Sequence, residues 1–439
     1  MKHTACFREF AKYSSLNVLG MIGLSCYILA DTFFVAKSLG ANGLAALNLA
    51  IPVYSFLHGS GLMIGMGGAT RYAILKSQKN SQGADRMFTH AILLAAGFAL
   101  FFMLAGGVLS GPIVTLFGAD ENVFEMTKTY VQVILLFAPA FLLNNVLLCF
   151  VRNDGAPHRS MAAMIGGSLS NIVLDYVFLF PLNMGIFGAV LATGLAPVIS
   201  MLILSPHFLK KKNGFHVRKG KPEGKLAMQI CSCGVPSLVT EMSSGVVMIA
   251  FNTILLRLQG NVGVAAYGVI ANLSLVVIAV YTGVAQGIQP LLSRNYGEGN
   301  RTGVHAVLRW ALGAMLILSA ILVGAVFFGA SPIAAAFNSE HDALLQNIAV
   351  EGLRLYFLAC PFAGFNIILS VFFTSTELPR PAQILSLLRG FAVILPAAFL
   401  LSAAFGTTGV WCAFPATELS VACLGTAYVL LHRRRKLVP

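Results

Sequence analysis

Apolar residues along this chain gather into blocks close to the ~20 residues that a helix needs to cross a bilayer, such as Ile92 to Leu109, Val131 to Phe150 and Ala311 to Phe328. Read against charged and Gly/Pro breaks, the pattern predicts twelve helical spans, at roughly 14–37, 46–74, 88–109, 128–150, 160–181, 186–209, 228–256, 266–290, 304–329, 346–373, 383–402 and 407–431. Core helices of soluble proteins are seldom so long and so free of charge. An even count of spans puts both termini on one side of the membrane.

Composition agrees. The 439 residues are 57% hydrophobic and 10% charged, with mean hydropathy +0.81, against roughly 25% charged residues in soluble domains. The fold class expected is an all-α membrane protein. A net charge of +13 could suggest nucleic acid, but the basic residues form short clusters between apolar blocks, with no aromatic-interleaved groove, so the charge reads as membrane topology. Lys2, Arg8 and Lys12, the loops with Lys76, Lys79 and Arg86 or Arg294, Arg301 and Arg309, and the tail Arg433 to Lys436 fall on one side. By the positive-inside rule that side is the cytoplasm. Lys210 to Lys225 carries seven Lys/Arg against the single acid Glu223 and reads as a cytoplasmic linker. Asp120, Glu121, Glu125, Glu340 and Asp342 fall on the other side. Met1 to Tyr13 is polar, has no A-x-A-like site and runs into a long span, so the first helix is expected to be retained. The expected location is a plasma (bacterial inner) membrane, with the chain as a monomer.

Six of the eight cysteines fall within or at the ends of apolar blocks, where Cys acts as a small hydrophobe. Cys231-Ser-Cys233 lacks a second Cys or His pair at zinc spacing, so no metal centre or cofactor is expected.

The chain matches itself at an offset of 220. Gly40, Gly43, Ala45 and Ala46 fall on Gly260, Gly263, Ala265 and Ala266, while Gly67, Asn80 and Gly83 fall on Gly287, Asn300 and Gly303. With a drift of one or two, Pro157 pairs with Pro379, and Gly185 and Gly188 with Gly406 and Gly409. One register held across several breaks marks a duplicated half. The expected organisation is an N-lobe at 1–209, a basic linker at 210–227 and a C-lobe at 228–439. Six spans per half make the repeats parallel, an arrangement suited to alternating access by rocking of one lobe against the other.

Asp31, Asp175, Glu241 and Glu418 fall inside spans. Each costs roughly 2.5 to 3.5 kcal/mol at a helix centre, so each is a functional candidate. Counted from the span ends, Asp31, Asp175 and Thr193 lie roughly 10 Å below the outer boundary at 1.5 Å rise per residue. Tyr27 is one turn from Asp31, and Asn171 one turn from Asp175, each on the face of its acid. The residues predict a polar pocket in the first half. Two carboxylates in a low-dielectric site cannot both ionise cheaply, so the pair could hold and release a proton or ligate a small cation through oxygens. Glu241 follows Pro236 and Glu418 follows Pro415. Both are near mid-depth, where a structural hydrogen bond and a coupling or substrate role are open alternatives. Arg389 is expected to snorkel to the cytoplasmic interface.

The segments Asp31 to Pro52, Asn171 to Asp175 with Gly185 to Thr193, Gly283 to Asn300 and Gly406 to Glu418 together resemble the multidrug and toxic compound extrusion (MATE) family over nearly the whole chain. The resemblance implies a V-shaped pair of six-helix lobes that exports lipophilic, often cationic organic compounds in exchange for H+ or Na+. It implies an N-lobe cation site on Asp31, Asn171, Asp175 and Thr193, with Tyr27 beside it, and makes Glu241 the candidate acid of the seventh helix. Asn17 stands where the family usually has a proline, and Ser77 to Asn80 replace a glycine-containing loop kept at Gly297 to Asn300. A lipid-linked oligosaccharide flippase of the same superfamily is the alternative, but it would be expected to carry a more cationic cavity. A membrane-embedded enzyme would need a His, Ser or metal constellation that the nine histidines do not form.

Overall fold

The computed structural model describes residues 2–338 and 342–432. The basic tail Arg433 to Lys436 and the outer-loop Glu340 lie outside the described residues, and of Lys2 only the backbone is described. Every element among the described residues is helical. Eight helical stretches are long and apolar enough to cross a bilayer, and a ninth forms from Phe124–Leu136 and Ala138–Asn153, which meet at a 50° bend. Three of these stretches are two helices run together, broken at Gly40, Gly260 and Gly406. Dividing them gives the twelve spans of the apolar pattern. They are α1 (2–39), α2 (41–77), α3 (Ser81–Val108), α4 (124–153), α5 (Pro157–Leu179), α6 (Gly185–Leu209), α7 (224–259), α8 (261–297), α9 (Arg301–Phe337), α10 (Ala343–Ser375), α11 (379–405) and α12 (407–432). α3 starts well before the apolar block, because Asn80 caps it.

The backbone repeats the sequence duplication. Gly40 (φ 65, ψ −155) and its counterpart Gly260 (φ 63, ψ −152) occupy nearly the same conformation, one essentially closed to residues with a Cβ. Gly185 (φ 61) and Gly406 (φ 59) form a second matched pair. Asn80 accepts from the Gly83 backbone N–H at 2.9 Å, as Asn300 does from Gly303 at 3.0 Å. Just before these caps Lys79 (φ 61) takes the left-handed conformation that Gly299 (φ 69) takes in the second half. A left-handed L-residue costs about 1–2 kcal/mol, partly offset by the entropy that glycine would lose. Lys79→Gly is therefore expected to raise stability by about 0.5–1 kcal/mol. Chemical unfolding in detergent micelles measures this, and a loss of stability would contradict it.

The described residues form two compact units, one of 13–242 and one of 2–12 with 243–338 and 342–432. In the second of these, Glu9 accepts a short ion-paired hydrogen bond from Arg294, and Phe7 and Phe10 pack on Trp310 with ring centroids 5.5 and 6.1 Å away. In the unit Tyr13–Met242, α2 and α7 approach backbone to backbone, since a Cβ on Gly234 would overlap the Met63 carbonyl. Small residues at such a crossing let helices pack closely. Asn17 donates to the Tyr13 carbonyl (2.8 Å) and accepts from the buried Arg152 Nη1 (2.9 Å), tying α1 to the end of α4.

The basic linker after α6 is a strap docked on this unit. Phe215 is buried, ringed by Tyr72, Phe88, Phe150, His207 and Phe208. Asp154 accepts from the Tyr72 hydroxyl and the Gly214 N–H and pairs with His207, while Asp85 accepts from the His216 N–H and Arg218 Nε. The Arg218 N–H donates to Thr89 Oγ1 (2.9 Å) and the Glu223 N–H to His90 Nε2 (2.9 Å). The strap's composition is that of a solvated loop, yet its backbone polar groups are satisfied by side chains of the helix ends beneath it.

Candidate functional site

Asp31 on α1, Asn171 and Asp175 on α5, and Thr193 on α6 converge in the unit Tyr13–Met242, where Tyr27 is buried beside them. The spacing explains this convergence. Asn171 and Asp175 are one turn apart on one face of α5, and that face packs on α6, where Thr193 is also inward. Asp175 and Asn171 are fully buried, and Asp31 is 6% exposed. With its amide oriented to satisfy both neighbours, Asn171 donates to Asp175 Oδ2 (3.0 Å) and accepts from the Thr193 N–H (3.2 Å). The Thr193 hydroxyl donates to the Ala189 carbonyl (3.1 Å), so towards the pocket its oxygen can act as an acceptor.

The Asp31 and Asp175 side chains stand within hydrogen-bonding reach of each other. Carboxylates are acceptors only when ionised, so two of them at that separation need a proton or a cation between or beside them. Asp31 Oδ1 and Asp175 Oδ1 are both buried without a hydrogen-bond partner. An orphaned buried oxygen is costly, and two in one pocket fit a bound proton or a small hard cation that prefers oxygen ligands.

Two further tyrosines complete the pocket, and hydropathy gave no sign of them. The Tyr54 hydroxyl meets that of Tyr27 at 2.8 Å, and its ring stacks on His58 with centroids 5.7 Å apart. Tyr130, buried on α4, reaches the Thr193 hydroxyl and feels both aspartates. Inside apolar blocks such tyrosines read as core aromatics. Their only signal was an –OH that must find a partner when buried.

Glu241 is not placed with Glu418. It belongs to the unit of the aspartate pocket, where it packs over Gly59 of α2 and interacts electrostatically with Tyr54. Glu418 is 1% exposed in the other unit. It accepts from Arg389 Nε (2.6 Å) and Asn366 Nδ2 (2.7 Å). The snorkelling expected of Arg389 is therefore incorrect. A π-helical turn at Leu388–Ala392 widens α11 where Arg389 sits, and the guanidinium pairs with Glu418. A counter-charge already inside the protein outweighs the reach to the interface.

The MatE family model matches residues 18–177 and 236–400, one stretch in each half. The multidrug export protein MepA of Staphylococcus aureus (strain MSSA476) is 24% identical over 431 residues, covering 97% of this chain and 94% of MepA. MepA of Staphylococcus saprophyticus is 24% identical, over 98% and 95%. A solved outward-facing multidrug resistance MATE family transporter of the MOP superfamily superposes with a TM-score of 0.91 at 23% identity, over 98% of this chain and 96% of its own. A MOP superfamily transporter from Pyrococcus furiosus gives 0.90 at 23%, over the same shares. At that identity these two likenesses speak to the fold alone. With its model matching both halves of a duplicated twelve-helix membrane protein, this chain belongs to the MatE (MATE) family of transporters.

Proposed function

We propose that this protein is a cation-coupled antiporter that exports lipophilic or cationic organic compounds, using H+ or Na+ held at Asp31 and Asp175. The observation that carries this reading is the pair of abutting, buried carboxyl groups, each with one orphaned oxygen. The relatives' names as multidrug export proteins support the class of cargo. Asn171 fixes the orientation of Asp175 and ties α5 to α6, Thr193 offers a hydroxyl acceptor, and Tyr27 closes the α1 side. Glu241 interacts electrostatically with Tyr54, whose hydroxyl bonds that of Tyr27, and so it is the acid through which events on α7 bear on the pocket. Glu418, tied to Arg389 and Asn366, acts as a structural anchor.

A cation bound more tightly in one facing state than in the other shifts the population between them, and binding of cation and cargo is then reciprocally linked. The protein works as a monomer, multi-pass, with its basic ends and strap in the cytoplasm, and needs no cofactor beyond the coupling ion. Proteoliposomes loaded with a cationic dye and given a pH or a Na+ gradient separately test the proposal. One of the two gradients should drive uphill export, and export unchanged when both are collapsed would overturn it.

A further inference from the structure

Beside the strap lies a cavity of about 600 Å³, within the unit Tyr13–Met242 and lined by none of the aspartate-pocket residues. Phe56 of α2, Leu94, Phe98 and Phe101 of α3 and Ala227 of α7 form its apolar walls, and His90 and the strap's Glu223 stand at its head. Its volume is that of a ligand pocket. Phe101 lies 11 residues beyond His90 on α3, which at 1.5 Å per residue makes the groove about 17 Å long. One leaflet of a ~30 Å hydrocarbon core is about 15 Å deep. The groove therefore has the length and polarity of an acyl chain running from the membrane boundary towards mid-plane.

Gly97 supports the same reading. It sits on the groove wall inside α3, and a Cβ placed there would meet nothing within 4 Å. A mid-helix glycine weakens its helix and is usually kept for close packing. Here nothing packs against it, and the missing side chain is groove volume.

At the head of the groove basic side chains outnumber the single lining acid, Glu223. Arg86 neutralises Glu223, at 3.5 Å. Lys221 and Lys225 flank the strap residues Pro222 to Gly224 at the groove mouth, and Lys219 is close by in sequence. All three lysines are exposed and make no ion pair or hydrogen bond among the described residues. Basic side chains at a membrane boundary attract anionic headgroups, and the Glu223 N–H bond to His90 pins the strap that bears them.

We propose that this groove binds an anionic phospholipid of the adjacent leaflet, with one acyl chain along α3 and the phosphate among Lys219, Lys221 and Lys225. The site stands on its own and does not rest on the antiport reading. Native mass spectrometry of the purified full chain in detergent tests it, with dioleoyl phosphatidylglycerol, dioleoyl phosphatidylcholine and glycerol phosphate as probes. Phosphatidylglycerol should bind more tightly than phosphatidylcholine, and glycerol phosphate, lacking acyl chains, should not compete. Lys221→Gln and Lys225→Gln should each weaken phosphatidylglycerol about fivefold. Gly97→Phe should abolish the bound lipid, while Gly97→Ala keeps most of it; a thermal unfolding scan of each variant verifies that it is folded. Equal binding of phosphatidylcholine, full competition by glycerol phosphate, or undiminished lipid on a folded Gly97→Phe would each overturn the proposal. So would preferential filling of the groove by a lipophilic dye.

Discussion

Asparagine at Asp31 or at Asp175 is expected to reduce gradient-driven dye export to the level of empty vesicles while leaving the protein folded. The substitution keeps the side chain's shape and removes the charge. At Asp175 the new amide oxygen can still accept from Asn171, as Oδ2 does now at 3.0 Å, so the α5–α6 contact survives. What is lost is the pair of oxygens that a proton or Na+ would need, Asp31 Oδ1 and Asp175 Oδ1. Without one of them the ion cannot discriminate between facing states, and an ion that binds both states equally drives nothing. Relief from burying a carboxylate should leave unfolding resistance equal or higher. Tyr27→Phe breaks only the 2.8 Å bond to Tyr54 and should slow export without abolishing it. Full gradient-driven export in both aspartate variants would remove the site assignment.

The second large effect lies in the other unit and is one of stability. Arg389→Leu should destabilise the protein by about 3–5 kcal/mol, the usual cost of stranding one partner of a buried ion pair. The Glu418 side chain is 1% exposed and that of Arg389 16%, so water reaches the acid hardly at all. Asn366 would remain as its donor but supplies no charge. Replacing both residues by leucine should return most of the loss, because the desolvation cost of the pair disappears with it. A double-mutant cycle read by urea or thermal unfolding in detergent micelles measures the coupling. Additive losses from the two single variants would show that the pair is not an energetic unit.

Much of the architecture was legible before any coordinates. Blocks of apolar residues near twenty long fix the spans, because the bilayer leaves backbone polar groups no other partner than the helix itself. The offset that pairs Gly40 with Gly260 marked the duplication, but the backbone break the two share emerged only in the fold, in a conformation essentially closed to residues with a Cβ. Depth counting brought Asp31, Asp175 and Thr193 to one level, and helical spacing brought Asn171 to Asp175. Pairings between helices were not legible. Arg389 and Glu418 are 29 residues apart, on separate spans, and the π turn shifts the face on which Arg389 emerges. Tyr54 and Tyr130 vanish into apolar blocks, because hydropathy weighs the ring and not the hydroxyl. The docking of the linker was not legible for a related reason, since its anchors are mostly backbone N–H groups, which every sequence possesses.

That strap bears on where the chain can be opened for engineering. Its basic run, the longest polar stretch between spans, invites insertion of a reporter, an epitope tag or a protease site. Between Gly214 and Arg218, however, the backbone is stitched to Asp154, Asp85 and Thr89, with Phe215 plugged beneath. A cassette placed there would pull out the plug and strand three acceptors at once, two of them, Asp85 and Thr89, buried. Lys219 to Lys221, exposed between the Arg218 and Glu223 anchor points, offer the narrow window in which a graft can loop outward, at the expense of the lysines that face the lipid groove.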